Sequence, residues 1–305
     1  MSRLILSTAW NCDSAPDAAS MIREIKDAGF DKVELNFALT SHDIYDIISI
    51  KGKEGIEISS VHNYCPMPAG AGADEASPDY YPLSSQDEST RKMAVEATKT
   101  TIDTAKRLGG RVVILHLGRV EIKDRTRKLA SVLDIKRYSE RVKKRMAEER
   151  AKEAPRYFEK TVLSVEELIE YAKRKDIILG IENRYYYREI PSPDEIAILL
   201  DKFTDRHIGY WHDVGHAQLF ENLGIYNHKK DFLDRFSSRL IGVHIHDIRG
   251  IDDHRAPLQG DFDFSILKPY IKTDTYIVME VQFPADAKDI KKGAEYLKKL
   301  FGETE

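Results

Sequence analysis

Gly209-Tyr210-Trp211-His212-Asp213-Val214-Gly215-His216-Ala217 sets a carboxylate and an imidazole at the end of a short run of β-forming residues. Alone, an Asp-x-x-His reads as a polar strand end followed by a helix cap. Its recurrence decides the fold. Eight runs of this kind punctuate the chain: Leu4–Ala9, Lys32–Phe37, Ile56–His62, Arg111–Leu117, Ile177–Glu182, His207–Asp213, Leu240–His246 and Thr275–Val281. Amphipathic helical stretches separate them, which is the rhythm of βα units around a parallel sheet.

Eight such units suit an α/β fold with one closed (β/α)8 barrel, the TIM-barrel architecture. At 305 residues the chain fits a single domain spanning 1–305. Ala18–Ala28 has helical apolar spacing and ends at Gly29, and Ser89–Leu108 is a helix stopped by Gly109-Gly110. Between them Pro66–Leu83, with four prolines and two glycines, reads as a long irregular loop of the kind that forms lids or binding surfaces. Asp124–Glu153 is rich in charge of both signs and reads as a solvated helix with neutralising pairs; a nucleic-acid patch or an oligomer contact is the alternative. Thr161–Lys175 reads as a further helix, opened by Ser164-Val165-Glu166-Glu167.

Composition narrows the class. A formal charge of -4, from 47 basic and 51 acidic residues, does not mark a polyanion binder. Cys12 and Cys65 are too few for a disulfide framework and form no CxxC pair, so free thiols in a reducing compartment are expected. The opening Met1-Ser2-Arg3-Leu4-Ile5-Leu6-Ser7 lacks the apolar run and cleavage site of a secretory leader, and no run reaches membrane-spanning length. A cytoplasmic protein with no membrane partner is the expectation.

In such a barrel the carboxyl ends of the strands surround one pocket, so residues distant in sequence converge there. Those ends carry His62, His116, Glu182, Asp213 with His216, His244-Ile245-His246-Asp247, the following Asp252-Asp253-His254, and Glu280. Ionisable groups in apolar β runs are costly to bury unless paired or bound to a cation. A divalent metal accounts for the coincidence. Carboxylates and imidazoles without thiolates suit Mn, Mg, Co, Fe or Zn, with no nucleotide or organic cofactor implied. Glu182, Asp213, His244 and Glu280 are the strongest ligands. The period-2 alternation aims His244 and His246 at the same side, leaving open which ligates and which meets substrate. His212 faces the other way and reads as structural, and Glu34 reads as a buried hydrogen-bonding residue.

The motifs Ile181-Glu182-Asn183, Asp213-Val214-Gly215-His216-Ala217, Val243-His244-Ile245-His246-Asp247 and Asp252-Asp253-His254, leading into Pro257-Leu258-Gln259-Gly260-Asp261-Phe262, resemble the xylose-isomerase-like superfamily over essentially the whole chain. This superfamily holds sugar isomerases and epimerases, inosose-handling enzymes and endonuclease IV. The resemblance to the epimerases implies one metal held by Glu182, Asp213, His244 and Glu280, with Glu182 and Glu280 as the catalytic acid/base pair. It implies that His216 contacts a substrate oxygen. The expected reaction is isomerisation or epimerisation of a sugar, sugar phosphate or inosose-like polyol by proton transfer α to a carbonyl, through a metal-stabilised enediolate.

Endonuclease IV, a zinc phosphodiesterase of abasic DNA, is the alternative. Its larger ligand set falls on His62, His116, Glu182, Asp213, His216, His244, Asp252, His254 and Glu280, so His62, His116, His216, Asp252 and His254 are additional metal candidates. The negative charge, and the Asp74, Glu75 and Asp79 of a long loop lacking Lys and Arg, argue against nucleic acid as partner. A non-catalytic metal-binding barrel is a second alternative. Expected substrate contacts are His62, His116, His216, His246, His254, Arg255, Asn183 and Trp211, within a rim that also includes Trp10, Asn36, Tyr64, Arg184, Tyr185, Tyr186, Tyr187 and Arg249. Aromatic faces beside amide and guanidinium donors suit a small polyhydroxylated ligand. A homo-oligomer is compatible with all of these readings.

Overall fold

The computed structural model describes residues 3–72 and 75–302, so Asp74 lies outside the described residues. Eight strands form a closed barrel: β1 (Leu4–Ser7), β2 (Lys32–Leu35), β3 (Glu57–His62), β4 (Val112–Leu115), β5 (Ile178–Glu182), β6 (Ile208–Asp213), β7 (Leu240–Ile245) and, after a small hairpin, β10 (Tyr276–Met279). Neighbours pair in parallel all the way round, β10 closing against β1. Each expected run contains its strand, trimmed by one or two residues where the backbone leaves the ladder. The hairpin, β8 (Asp247–Arg249) and β9 (Asp252–Arg255), is an addition that period-2 reading did not separate from the loop after β7.

Helices cover the outside: α1 (Ala18–Asp27), α2 (Ser41–Glu54), α3 (Glu88–Leu108), the short α4 (Thr126–Ala130), α5 (Lys136–Lys175), α6 (Pro193–Lys202), α7 (Val214–Asn222) and α8 (Ala287–Phe301). Their starts follow local chemistry. The Asp17 carboxylate accepts from Ser20 N, Thr40 and Asp43 form a reciprocal capping box, and Asp286 caps α8 in the same way. Among the described residues no helix is long and apolar enough to cross a membrane.

One expected boundary is absent. The charged stretch from Lys136 onward and Thr161–Lys175 are a single helix of 40 residues, α5, about 60 Å long at 1.5 Å per residue, preceded by the separate short α4. Ser164 is in its middle, where its hydroxyl donates to Leu83 O at 2.8 Å rather than capping anything. The charged half is largely solvated, with pairs such as Arg145–Glu149 at 2.8 Å. Arg150, however, is buried. Its guanidinium donates to both Glu195 oxygens, at 3.0 and 2.6 Å, and to the carbonyls of Tyr187 and Glu189.

Strand alternation sorts the barrel into two environments. Outward residues such as Leu6, Val33, Val113, Leu179, Val243 and Met279 pack beneath the helices in the main core. Inward residues Ile5, Val112, Ile114, Trp211 and Val278 form a separate apolar plug inside the barrel. Two residues further along the same inward rows, Ile114 gives way to His116, Trp211 to Asp213 and Val278 to Glu280. The apolar plug is therefore the floor on which an ionisable layer stands. Trp211, expected at the pocket rim, belongs to this floor: it is fully buried, and a Cβ at Gly242 would lie 2.2 Å from its ring. Only glycine at 242 leaves room for that indole.

Candidate metal centre

The inward ends of β5, β6, β7 and the residue following β10 bring Glu182, Asp213, His244 and Glu280 together, with ligand-type atoms mutually within 4.8 Å. His244 is the hub. Its Nδ1 lies 2.7 Å from Glu182 Oε1, 3.0 Å from Glu280 Oε2 and 3.8 Å from Asp213 Oδ2. On the opposite side of the ring Nε2 meets Glu34 Oε1 at 3.0 Å, while Ser60 Oγ donates to the other Glu34 oxygen at 2.7 Å. Four carboxylates thus face one imidazole in a fully or almost fully buried site. Such crowding is unfavourable without a compensating cation. Burial alone would lower the His244 pKa, but Glu280 and Glu34 outweigh it and hold the ring well above the usual histidine range. Burial would likewise raise the Glu280 carboxyl, yet His244 and His254 bring it down to about 2.

The donor set fits a divalent metal by a further criterion. A ligating histidine characteristically anchors its second ring nitrogen on an acceptor, fixing the tautomer. His244 does so on Glu34, leaving Nδ1 for the centre. His62 Nδ1 sits 3.1 Å from Asn63 O and His216 Nδ1 sits 2.9 Å from Asn183 O, leaving each Nε2 directed at carboxylates. His246 does the reverse. Its Nδ1 accepts from the His254 backbone N–H at 2.9 Å, so Nε2 carries the proton and donates to Asp213, 3.1 Å from both oxygens. Geometry thus separates the two histidines of β7 and its extension: His244, anchored through Nε2 on Glu34, turns Nδ1 to the centre, where a cation would take the place of its proton, and His246 orients Asp213.

Among the described residues four further groups bring ligand-type atoms together: Asp213–His246–His254–Glu280 and His62–His244–Glu280 overlap the centre, and two others flank it. His62, His116 and Glu182 form one, with His116 Nε2 at 2.6 Å and His62 Nε2 at 3.8 Å from Glu182 Oε2. Burial first, and then Arg184, lower the His116 pKa to about 3, so this ring is a neutral donor atom. The other group is His216, Asp253 and His254. Here the hairpin corrects the sequence reading. Asp253 points inward, with Oδ1 3.2 Å from His254 Nδ1 and Oδ2 3.7 Å from His216 Nε2. Asp252 is exposed and pairs with Arg255.

Asp252 nevertheless lines the outer cavity, whereas several expected substrate contacts fall outside it. Asn183 is buried behind Asp213: its Nδ2 donates to Asp213 O, and its Oδ1 accepts from Asp213 N and from Tyr210 OH. His246, fully buried, stands behind the same carboxylate. Arg255 donates to Gln259 O and Arg249 lies 3.7 Å from Asp261, so neither lines the pocket. Tyr64 is buried against Tyr81, and Tyr187 packs on Phe220 and Tyr226. His212 is structural as expected, its ring bridging Tyr210 OH and His228.

The cavity above the centre has a volume of about 510 Å³. Its walls include His62, His116, Glu182, His216, His254 and Glu280, together with Tyr185 and Tyr186 from the rim. Sequence reading missed Glu189, Gln282 and Arg127, which also line it, and Asp79, which pairs with the lining residue Arg184; it quoted Asp253 only within its motif. Arg184 ties several of these together, its Nη2 lying 3.1 Å from both Asp79 and Glu189 and its Nη1 3.4 Å from Glu182. Opposed charges spaced along a loop were the available signal, but loops carry no periodicity to orient them. Gly215 has a steric role here: a Cβ would lie 2.1 Å from His246 Cε1, so the glycine lets that imidazole reach Asp213.

Residues 22–300 match the family described as the xylose isomerase-like TIM barrel. Among curated relatives, the uncharacterized protein y4fM of Sinorhizobium fredii is 25% identical over 268 residues, covering 83% of this chain and 76% of the relative. Solved structures share the fold at lower identity. A D-tagatose 3-epimerase-like protein superposes with a TM-score of 0.69 at 20% identity, covering 99% of this chain and 97% of the other. The apo form of the E. coli 3-keto-D-glucoside 4-epimerase YcjR gives 0.69 at 16% identity, over 98% and 100%. IOLI protein with a binding zinc atom gives 0.65 at 14% identity, over 99% of both chains. The chain belongs to the xylose isomerase-like TIM-barrel family.

Proposed function

We propose that this protein is a divalent-metal-dependent isomerase or epimerase acting on a small polyhydroxylated carbonyl compound, a sugar or related polyol, by proton transfer at the carbon next to the carbonyl. The observation that carries the reading is the placement of Glu182 and Glu280. They come from β5 and the end of β10, with β6 and β7 between them in the barrel, yet both reach His244 Nδ1 and both line the cavity. Two carboxylates thus approach one point from separated strands, as removal and return of a proton require. General acid/base groups of this kind contribute roughly 10²–10⁴-fold each.

Glu182, Asp213, His244 and Glu280 would hold the metal, which supplies Lewis-acid stabilisation of negative charge developing on substrate oxygens. The chain does the rest. Glu182 is held well below the usual carboxylate range, since His116 and His244 outweigh the effect of its burial, so it is present as a base. The Nε2 atoms of His62 and His216, whose Nδ1 atoms are anchored on backbone carbonyls, are hydrogen-bond partners for substrate hydroxyls, while His116 holds Glu182 through Nε2 at 2.6 Å. Tyr185, with its hydroxyl tied to Ile251 O at 2.7 Å, gives a fixed aromatic wall. The epimerase activities named for two of the structural neighbours agree with this assignment by analogy of fold.

A second reading is favoured by one specific observation. The groups His62–His116–Glu182 and His216–Asp253–His254 border the central one, so the site has donor sets for more than one metal. A multi-zinc phosphodiesterase of the endonuclease IV kind would use them all to activate water and clamp a phosphate. Elemental analysis of the purified protein separates the readings. About one Mn, Mg or Co per chain is the isomerase result. Two or three zinc ions per chain, with cleavage of abasic-site DNA at low enzyme concentration, would overturn it. A Glu182→Gln variant that retains metal and unchanged turnover would remove Glu182 from the catalytic assignment.

A further inference from the structure

Phe37 and Gln282, which line the cavity over the candidate metal centre, also line a second compartment beside it of about 720 Å³. Each compartment is within the roughly 300–1,000 Å³ of ordinary ligand sites, so a single monosaccharide leaves the second one empty. Its walls come from the segments after β1, β2 and β10. Trp10 is held as a fixed wall, its indole N–H donating to Ala285 O at 2.9 Å. Phe283 stands at the mouth, 89% exposed. Between the compartments, the Gln282 side-chain amide makes no hydrogen bond among the described residues, while its backbone N–H is tied to His254 O at 3.0 Å.

The charged lining has one sign: among the described residues Asp13, Glu24 and Asp286 line this compartment and no Lys or Arg does, whereas Arg127 and Arg184 line the first. Asn11 braces the wall from behind: it is 3% exposed, and its Nδ2 donates to Met21 O at 3.0 Å and to Glu24 Oε2 at 2.9 Å. Aromatic faces and carboxylate acceptors suit a ligand that presents hydroxyl donors and C–H faces. The three carboxylates disfavour a phosphate or carboxylate there.

We propose that the substrate is a glycoside-like extended molecule: the reacting unit lies over the metal centre, and a second, uncharged polyhydroxylated unit lies in the compartment bounded by Trp10, Asn11, Gln282 and Phe283. This rests on the isomerase or epimerase reading for the identity of the reacting unit. Calorimetric titration of the metal-containing protein with D-fructose, and with the glycosyl-ketoses isomaltulose and lactulose, tests it. At least one glycosyl-ketose is expected to bind tenfold or more tighter than D-fructose, and Phe283→Ala or Trp10→Ala to bring that ratio toward one. Glycosyl-ketoses binding no tighter than D-fructose, or a ratio that neither variant changes, would overturn the proposal. Incorporation of solvent deuterium is read separately. A tenfold ratio without exchange into any of these compounds would refute the isomerase reading and leave the extended site standing.

Discussion

Glu34→Gln isolates the part of the metal centre that never touches the metal. Glu34 is fully buried and accepts from His244 Nε2 at 3.0 Å, so it fixes which nitrogen of His244 faces the centre and makes that nitrogen a stronger donor. Glutamine keeps the shape and one acceptor oxygen for the imidazole, and Ser60 can rotate its hydroxyl to accept from the new amide. Only the charge is removed. Loss of such an outer partner typically weakens metal binding about 10–100-fold. At a metal concentration about 100 times the wild-type Kd, binding stabilises the wild type by about 2.7 kcal/mol, whereas a variant with 100-fold weaker affinity gains only about 0.4 kcal/mol. At about 2 °C per kcal/mol for a chain of this size, the metal-induced rise in Tm falls from about 5 °C to under about 1 °C. Thermal melts with and without added metal measure this, and each protein's metal-free midpoint serves as its own reference, so any change in folding itself cancels. An undiminished metal-induced rise in Glu34→Gln would refute the role of His244 as a ligand through Nδ1.

Three further outcomes follow from the geometry. Gly215→Ala would place a methyl 2.1 Å from His246 Cε1, displacing that ring from Asp213; metal affinity should fall while the far-ultraviolet circular dichroism remains that of the barrel, and an unchanged affinity would contradict the positioning role of His246. Glu195→Ala strands the buried Arg150 guanidinium and should cost about 3–5 kcal/mol in denaturant unfolding, a loss under about 1 kcal/mol showing that the pair is merely superficial. Glu88 is brought down to about 2 by its hydrogen bonds from Arg91, against an ordinary value of about 4.3. Because the folded value is depressed, its contribution is fully present above the ordinary value and lost as pH falls through about 2. The difference in denaturation midpoint between wild type and Glu88→Gln should therefore be constant above about pH 5 and shrink toward pH 2; a pH-independent difference would exclude the ion pair as its source.

The strand ends were legible because two simple facts combine: a parallel barrel gathers them at one end, and ionisable side chains are expensive inside apolar β runs. That reasoning reached Glu182, Asp213, His244 and Glu280 without knowledge of depth. Trp211 shows the limitation. It lies two residues before Asp213 on the same inward row, hence about 6–7 Å deeper, in the floor rather than the rim. Asn183 and His246 carry polar groups suited to a substrate, but hydrogen bonds that sequence cannot display commit both to Asp213. Asp253 replaced Asp252 because the register of a two-stranded hairpin decides which neighbour points inward, and adjacent acids give no pattern to choose between them. The fusion of α5 has a similar origin: Ser164 followed by Glu167 mimics a cap and Pro155 lies between the charged and apolar halves, yet the helix runs through both, its proline accommodated in the interior.

The central claim is that Glu182 and Glu280 move a proton at a carbon next to a carbonyl within a metal-holding barrel. Incubating the metal-containing protein with a panel of ketoses and glycosyl-ketoses in deuterated water, and following the substrate C–H signals by NMR, tests it most directly. The account predicts deuterium incorporation at a carbon α to the carbonyl of at least one compound, and its loss in Glu182→Gln and Glu280→Gln proteins that still bind metal. Exchange that persists in both variants, or its absence throughout the panel alongside cleavage of abasic-site DNA, would contradict it.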